Sequence, residues 1–167
     1  MVNAVFLSWV YTLCMEKTLR KPRFDPETQA ILDELLTWDK KEALVWALDT
    51  AEHVLYKFTD CCPNDPRPFN CITIGREWLN GTVPFKTVRA TALAAHAAAR
   101  SVSDPSAIAA ARACGHAIAT IHVQTHCIGA ALYGLKACPD EVSKKAERKW
   151  QLDHLAMMRN NRKNHEN

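Results

Sequence analysis

Between residues 90 and 119 the chain places fourteen alanines in thirty positions. Alanine has the highest intrinsic helix propensity, and its side chain is too small to hold two backbones apart. A segment of this kind can only be helical, and its neighbours must approach it closely. Only five glycines occur in 167 residues, too few for the turns of an all-β fold. Gly115, Gly129 and Gly134 fall inside helical patterns, where glycine costs stability, so each is expected to mark a close crossing.

The rest of the chain carries helix boundaries in its side chains. Asp25-Pro26-Glu27 gives a capping acid, a proline at the first helical position and an acid in the first turn. Ser103-Asp104-Pro105 repeats that start. Ile31, Leu32, Leu35 and Leu36, then Leu44, Ala47, Leu48, Ala51, Leu55 and Phe58, recur at intervals of three and four. Three prolines between Cys61 and Pro68 require a loop, Asn80-Gly81 stops a helix, and Cys138-Pro139-Asp140 breaks another. The expected helices cover about 26–36, 39–58, 68–80, 84–100, 105–122, 125–137 and 140–158. The predicted fold is all-α, a single compact bundle of about seven helices with the Ala-rich ones at its centre. Residues 25–159 form the domain, 160–167 are expected to be a disordered polar tail, and 1–24 an apolar leader with a basic linker.

That leader has no charge before Glu16, and Lys17, Arg20, Lys21 and Arg23 follow it. A signal peptide has its basic residues first and a small-residue cleavage site last, and the apolar run is shorter than the ~20 residues of a membrane-spanning helix. It is read as a leader, with Met15 available as an alternative start, as a segment docked on the domain, or as a weak anchor. Seven cysteines without a repeated C-x-x-C pair fit a reduced, cytoplasmic protein. Cys61, Cys62 and Cys71 alone are near enough in sequence for a local disulfide or metal clip.

Net charge is +3, but residues 25–80 hold eleven acids against five bases, between basic ends. The acidic half is either a set of solvated helix faces or a surface for a basic partner, and Asp33, Glu34, Asp39 and Glu42 are the partner-surface candidates. The basic groups from Lys144 to Lys163 have little aromatic interleaving, so nucleic acid is not the expected partner.

Asp49, Glu52, His53 and Tyr56 share one stripe of the second helix. Arg100 and Arg112 stand among alanines, either solvated or paired across helices with Asp49 and Glu52. His96, His116, His122 and His126 lie in the Ala-rich region. On a continuous helix His122 and His126 share a face, yet Val123 stands where a zinc protease needs glutamate. These histidines are read as satisfied core groups. The alternative is a ligand or metal site completed by Asp49 or Glu52. No nucleophile elbow, phosphate-binding glycine loop or repeated Glu-x-x-His pair occurs, so no catalytic residue, cofactor or metal is assigned.

The stretch Thr91-Ala92-Leu93-Ala94-Ala95-His96-Ala97-Ala98-Ala99-Arg100 resembles a motif of the immunity-five-like group of bacterial immunity proteins. Ser103-Asp104-Pro105, Ala107 to Arg112, Gly115-His116-Ala117, Ala119 to Val123, and Thr125 to Tyr133 resemble its continuation. Trp46 to Leu55 and Trp150-Gln151 fit as well, so the resemblance covers about 25–155. The chain departs from the pattern in its cysteines, its leader and Gln124, which stands where proline is expected. The resemblance implies a small all-α domain that neutralises a cognate toxin by binding it, with no catalytic residues to carry over.

Overall fold

The computed structural model describes residues 24–165, which form seven α-helices and no strand. They are α1 (Pro26–Leu35), α2 (Lys40–Thr59), α3 (Arg67–Leu79), α4 (Phe85–Arg100), α5 (Pro105–Ala119), α6 (Cys127–Lys136) and α7 (Glu141–His165), with a 3-10 turn at Gln124–His126 before α6. The fold class is as the sequence predicts.

The expected caps set these boundaries. Asp25 accepts from the Thr28 amide at 2.9 Å, and Asp104 from the Ala107 amide at 2.7 Å. Asp39 and Glu42 complete a reciprocal capping box at the start of α2. After α3, Gly81 takes a φ of 74°, a left-handed turn that glycine adopts without strain.

At the centre lies α5, where Ala107, Ala109, Ala110, Ala111, Ala113, Cys114, Ala117 and Ile118 are all buried. A helix this apolar on nearly every side belongs inside a bundle, and α2, α3, α4 and α6 surround it. The large side chains come from elsewhere: Trp46, Leu44, Leu48 and Phe58 of α2, with Ile31 and Leu35 of α1, are fully buried. Bulk on one helix and alanine on the next let the layers interlock without a leucine seam.

Each helical glycine receives a side chain from a neighbouring helix. A Cβ on Gly75 would lie 2.7 Å from a Leu48 methyl, and one on Gly115 would lie 2.8 Å from the His96 ring. On Gly129 it would meet Cγ of His116 at 2.6 Å, and on Gly134 the Glu147 carboxylate at 3.0 Å. The close crossings expected at Gly115, Gly129 and Gly134 are therefore filled by polar side chains rather than by bare backbone.

Two boundaries differ from the sequence expectation. The helix expected to reach about 122 ends at Ala119, and the chain turns through Thr120–Val123 without a proline. Gln124 sits in that turn, and its side-chain amide donates to the Leu35 and Trp38 carbonyls at 2.9 and 3.0 Å. It thereby ties the turn to the α1–α2 connection. The last helix continues to His165, through the stretch read as a polar tail from Asn160. Arg159 and Arg162 supply the reason, because they pair across to Glu34 and Glu42 at 3.0 and 3.3 Å. The apolar leader lies outside the described residues. Among the described residues no helix is long and apolar enough to cross a membrane.

Candidate functional site

Two polar clusters stand out, and the sequence pointed at one of them. The first joins α4, α5, the 3-10 turn and α6. The His96 and His116 rings meet edge to face with centroids 5.3 Å apart. His126 approaches from the turn, its Nδ1 3.4 Å from Nδ1 of His116. The Tyr133 ring stacks on His116 at 5.1 Å. His116 is seated over Gly129 and His96 over Gly115, so the two glycines make the room these rings occupy.

Burial pushes the His116 imidazole down to about 4, helped by His96, His126, Arg112 and Lys136. Burial also lowers His96, followed by the charges of Arg112 and Arg100. His96 and His116 are thus held in their neutral form near pH 7, as rings packed in a small-residue environment.

His122 does not join it. The break after Ala119 puts this ring against Phe85, edge to face at 4.2 Å, where burial and then Arg89 lower its pKa. The face that His122 and His126 share on an unbroken helix does not exist, because the helix is interrupted between them.

The carboxylates expected to complete a histidine site are also engaged elsewhere. Asp49 lies 3.0 Å from Arg76 on α3, and Glu52 bonds to the same guanidinium. Neither meets Arg100 or Arg112, the partners suggested by the sequence. Arg100 is exposed at the end of α4, and Arg112 lies over the Tyr133 ring at 5.8 Å. Among the described residues no three His, Cys, Asp or Glu side chains are grouped to hold a metal ion. Cys61 and Cys62 are free thiols with Sγ atoms 3.6 Å apart, while Cys71 is buried and faces the Arg67 and Thr91 carbonyls.

The second cluster lies between α2 and α7. Trp150 is sandwiched by two imidazoles: His53 stacks at 3.9 Å with an interplanar angle of 5°, and His154 at 4.9 Å and 18°. Each histidine also meets a carboxylate of the opposite helix, His53 with Glu147 at 2.7 Å and His154 with Asp49 at 2.9 Å. Glu147 is only 4% exposed, and it accepts a further hydrogen bond from Gln151 at 2.8 Å. A buried carboxylate needs such partners, since desolvation without them costs several kcal/mol, about 3–5 when one partner is removed. Clefts of about 310 and 420 Å3 flank the seam, one beside His53, Lys57 and Trp150, the other beside Asp49, His154 and Arg162.

The signal for this seam was present in the sequence. Glu147, Trp150, Gln151 and His154 repeat the i, i+3, i+4, i+7 spacing of Asp49, Glu52, His53 and Tyr56, so two matching polar stripes face one another.

The acidic candidates at the α1–α2 corner are partly neutralised. Glu34 and Glu42 carry the α7 arginines, Asp39 caps α2, and exposed Asp33 accepts from Gln29 at 2.7 Å. At the other end of α7, Arg148 bonds Thr28 at 2.5 Å and lies 3.4 Å from both Asp25 and Glu27. The basic partner of the acidic half is, in the first place, the chain's own last helix.

No curated protein and no solved structure matches the chain. A family model does match, over residues 34–158, from the end of α1 to well within α7. That span takes in the alanine helices, the glycine-seated histidines and both stripes of the α2–α7 seam, and the chain accordingly belongs to the Imm-5 like putative immunity protein family.

Proposed function

We propose that the protein neutralises a cognate bacterial toxin by direct, non-enzymatic binding. Membership of the immunity family over residues 34–158 carries this reading. The helices supply a rigid body for it: caps fix their ends and seated side chains fix their crossings.

The proposed contact face is the α1–α2 corner with Asp33, Glu34, Asp39 and Glu42. Exposed Leu36 stands beside them, and a small cleft of about 220 Å3 is lined by Glu34, Trp38 and Arg162. Exposed apolar surface rimmed by charge is the composition of a protein-binding patch. A toxin that grips phosphate through basic residues would present the complementary charge.

The test is co-expression with the toxin encoded beside this gene, read as growth rescue and as a purified complex. Asp33→Lys combined with Asp39→Asn removes two acids that hold no arginine and keeps a capping side chain at 39. Rescue by the wild-type chain, with affinity lowered about tenfold in the variant, is the expected outcome. Absence of any complex overturns the toxin-binding reading, and a complex of unchanged affinity overturns the choice of face.

A further inference from the structure

Past Met158 the last helix carries no apolar residue: Arg159, Asn160, Asn161, Arg162, Lys163 and Asn164 follow one another. Leu155, 3% exposed, is the last side chain of α7 buried in the core, and Met158 is the last packed against it. The final turns are therefore held by polar contacts. Arg159 Nε lies 3.0 Å from Glu34 and Arg162 Nη1 lies 3.3 Å from Glu42. The Arg162 guanidinium also covers the Trp38 ring, 4.9 Å from its centroid.

The fit is imperfect. Among the described residues four buried side-chain nitrogen or oxygen atoms make no hydrogen bond, and two of them are Glu34 Oε1 and Arg162 Nη1. Each is within ion-pair distance of its partner without the alignment of a hydrogen bond. Atoms covered in this way have lost water without a full replacement, which destabilises the contact. Beside them lies the cleft of about 220 Å3, lined by Glu34, Thr37, Trp38, Arg159, Arg162 and Lys163.

We propose that the end of α7 is an autoinhibitory latch, a stand-in for the toxin on the α1–α2 corner, and that the toxin segment replacing it presents arginines to Glu34 and Glu42. This rests on the toxin-binding reading above. Arginine meets a carboxylate best through two parallel N–H···O bonds, which neither latch pair makes, and its flat guanidinium suits the Trp38 face that Arg162 covers. Lysine, a point charge on a flexible stem, offers no such fork.

Release of the latch costs little, because exposed ion pairs are weak and no apolar side chain beyond Met158 has to leave the core. The preceding turns stay on the bundle, held by Leu155 and by Trp150 between His53 and His154. While the latch is closed the corner is unavailable, so apparent toxin affinity is reduced to the open fraction.

Hydrogen exchange of the full chain, alone and with the toxin encoded beside its gene, is the direct test. Exchange at residues 159–164 should quicken on binding while exchange at 34–42 slows; an ordinary contact surface would slow both. Arg159→Gln combined with Arg162→Gln should give fast exchange at 159–164 in the free chain. The same variant should bind toxin about tenfold more tightly, the scale of two exposed ion pairs. Lys149→Gln, whose partner Asp153 lies on the same helix, should leave affinity unchanged. A complex with slowed or unaltered exchange at 159–164, or with equal or weaker affinity in the double variant, overturns the latch and leaves toxin binding standing. A complex that survives phenylglyoxal treatment of the toxin's arginines overturns the choice of arginine. Absence of a complex with either chain overturns the toxin-binding reading and the latch with it.

Discussion

Replacing Gly129 by alanine should destabilise the fold, although the same change in an open helix would stabilise it. Alanine in place of a helical glycine gains about 1 kcal/mol of propensity. Against that gain stands the His116 side chain, whose Cγ and Nδ1 would lie 2.6 Å from the new methyl and whose Cβ would lie 2.8 Å away. These atoms are the root of the side chain, so rotating the ring does not clear them, and His96, His126 and Tyr133 hold it on the other sides. Overpacking of this kind costs about 1–3 kcal/mol, which leaves a net loss near 1 kcal/mol. In a His116→Gly background, which removes Cβ as well as the ring, the obstruction is gone, and Gly129→Ala should add about 1 kcal/mol, a swing of about 2 kcal/mol between backgrounds. Urea unfolding of the four proteins of this cycle measures it, provided the slope stays constant. A thermal scan should show a reversal of about 2–4 °C on each side. If Gly129→Ala stabilises the wild-type chain as much as it stabilises the His116→Gly chain, the account of this crossing as filled by His116 is wrong.

Two further outcomes follow from the same geometry. The folded-state pKa of His116, near 4, lies below its ordinary value of 6.5, so the unfolded chain binds more protons between those limits. Stability should fall as pH drops from 6.5 toward 4. Because water screens the partly exposed ring, the loss is set at about 1–2 kcal/mol. Urea midpoints between pH 7 and 4.5 should flatten in His116→Gln, and parallel curves for the two proteins would refute the assignment. Among the cysteines of the described residues, native thiol labelling should reach Cys61 and Cys62 first. Burial pushes the Cys71 and Cys127 thiols up to about 12 and Cys114 well above its usual range, and Cys138 is only 5% exposed. Mass spectrometry after a short maleimide pulse locates the adducts. Early modification of Cys114 would show that the bundle centre opens.

What the sequence made legible is what local chemistry decides. Asp25-Pro26 and Asp104-Pro105 announce α1 and α5, and Gly81 announces the end of α3, because capping and left-handed turns depend on adjacent residues. The alanine density announces the central position of α5 for the same kind of reason. Partner choice across space was not legible. Asp49 and Glu52 select Arg76 over Arg100 and Arg112, and nothing in the spacing of the chain distinguishes the three arginines. The break at Thr120–Val123 carries no proline or glycine, so the periodic pattern runs past it and places His122 on the wrong face. The last turns of α7 read as a tail because Asn160 and Asn161 are poor helix formers, and only the placement of Glu34 and Glu42 shows why they stay wound.

The pairing of α7 with the acidic half has a consequence for any basic ligand of the α1–α2 corner. Its cations would arrive at carboxylates that already hold arginines, so docking there is an exchange of tenants in which Arg159 and Arg162 are released as the newcomer's charges settle. Few small ions are then expelled overall, and such a complex should resist added salt far better than one formed on bare acids.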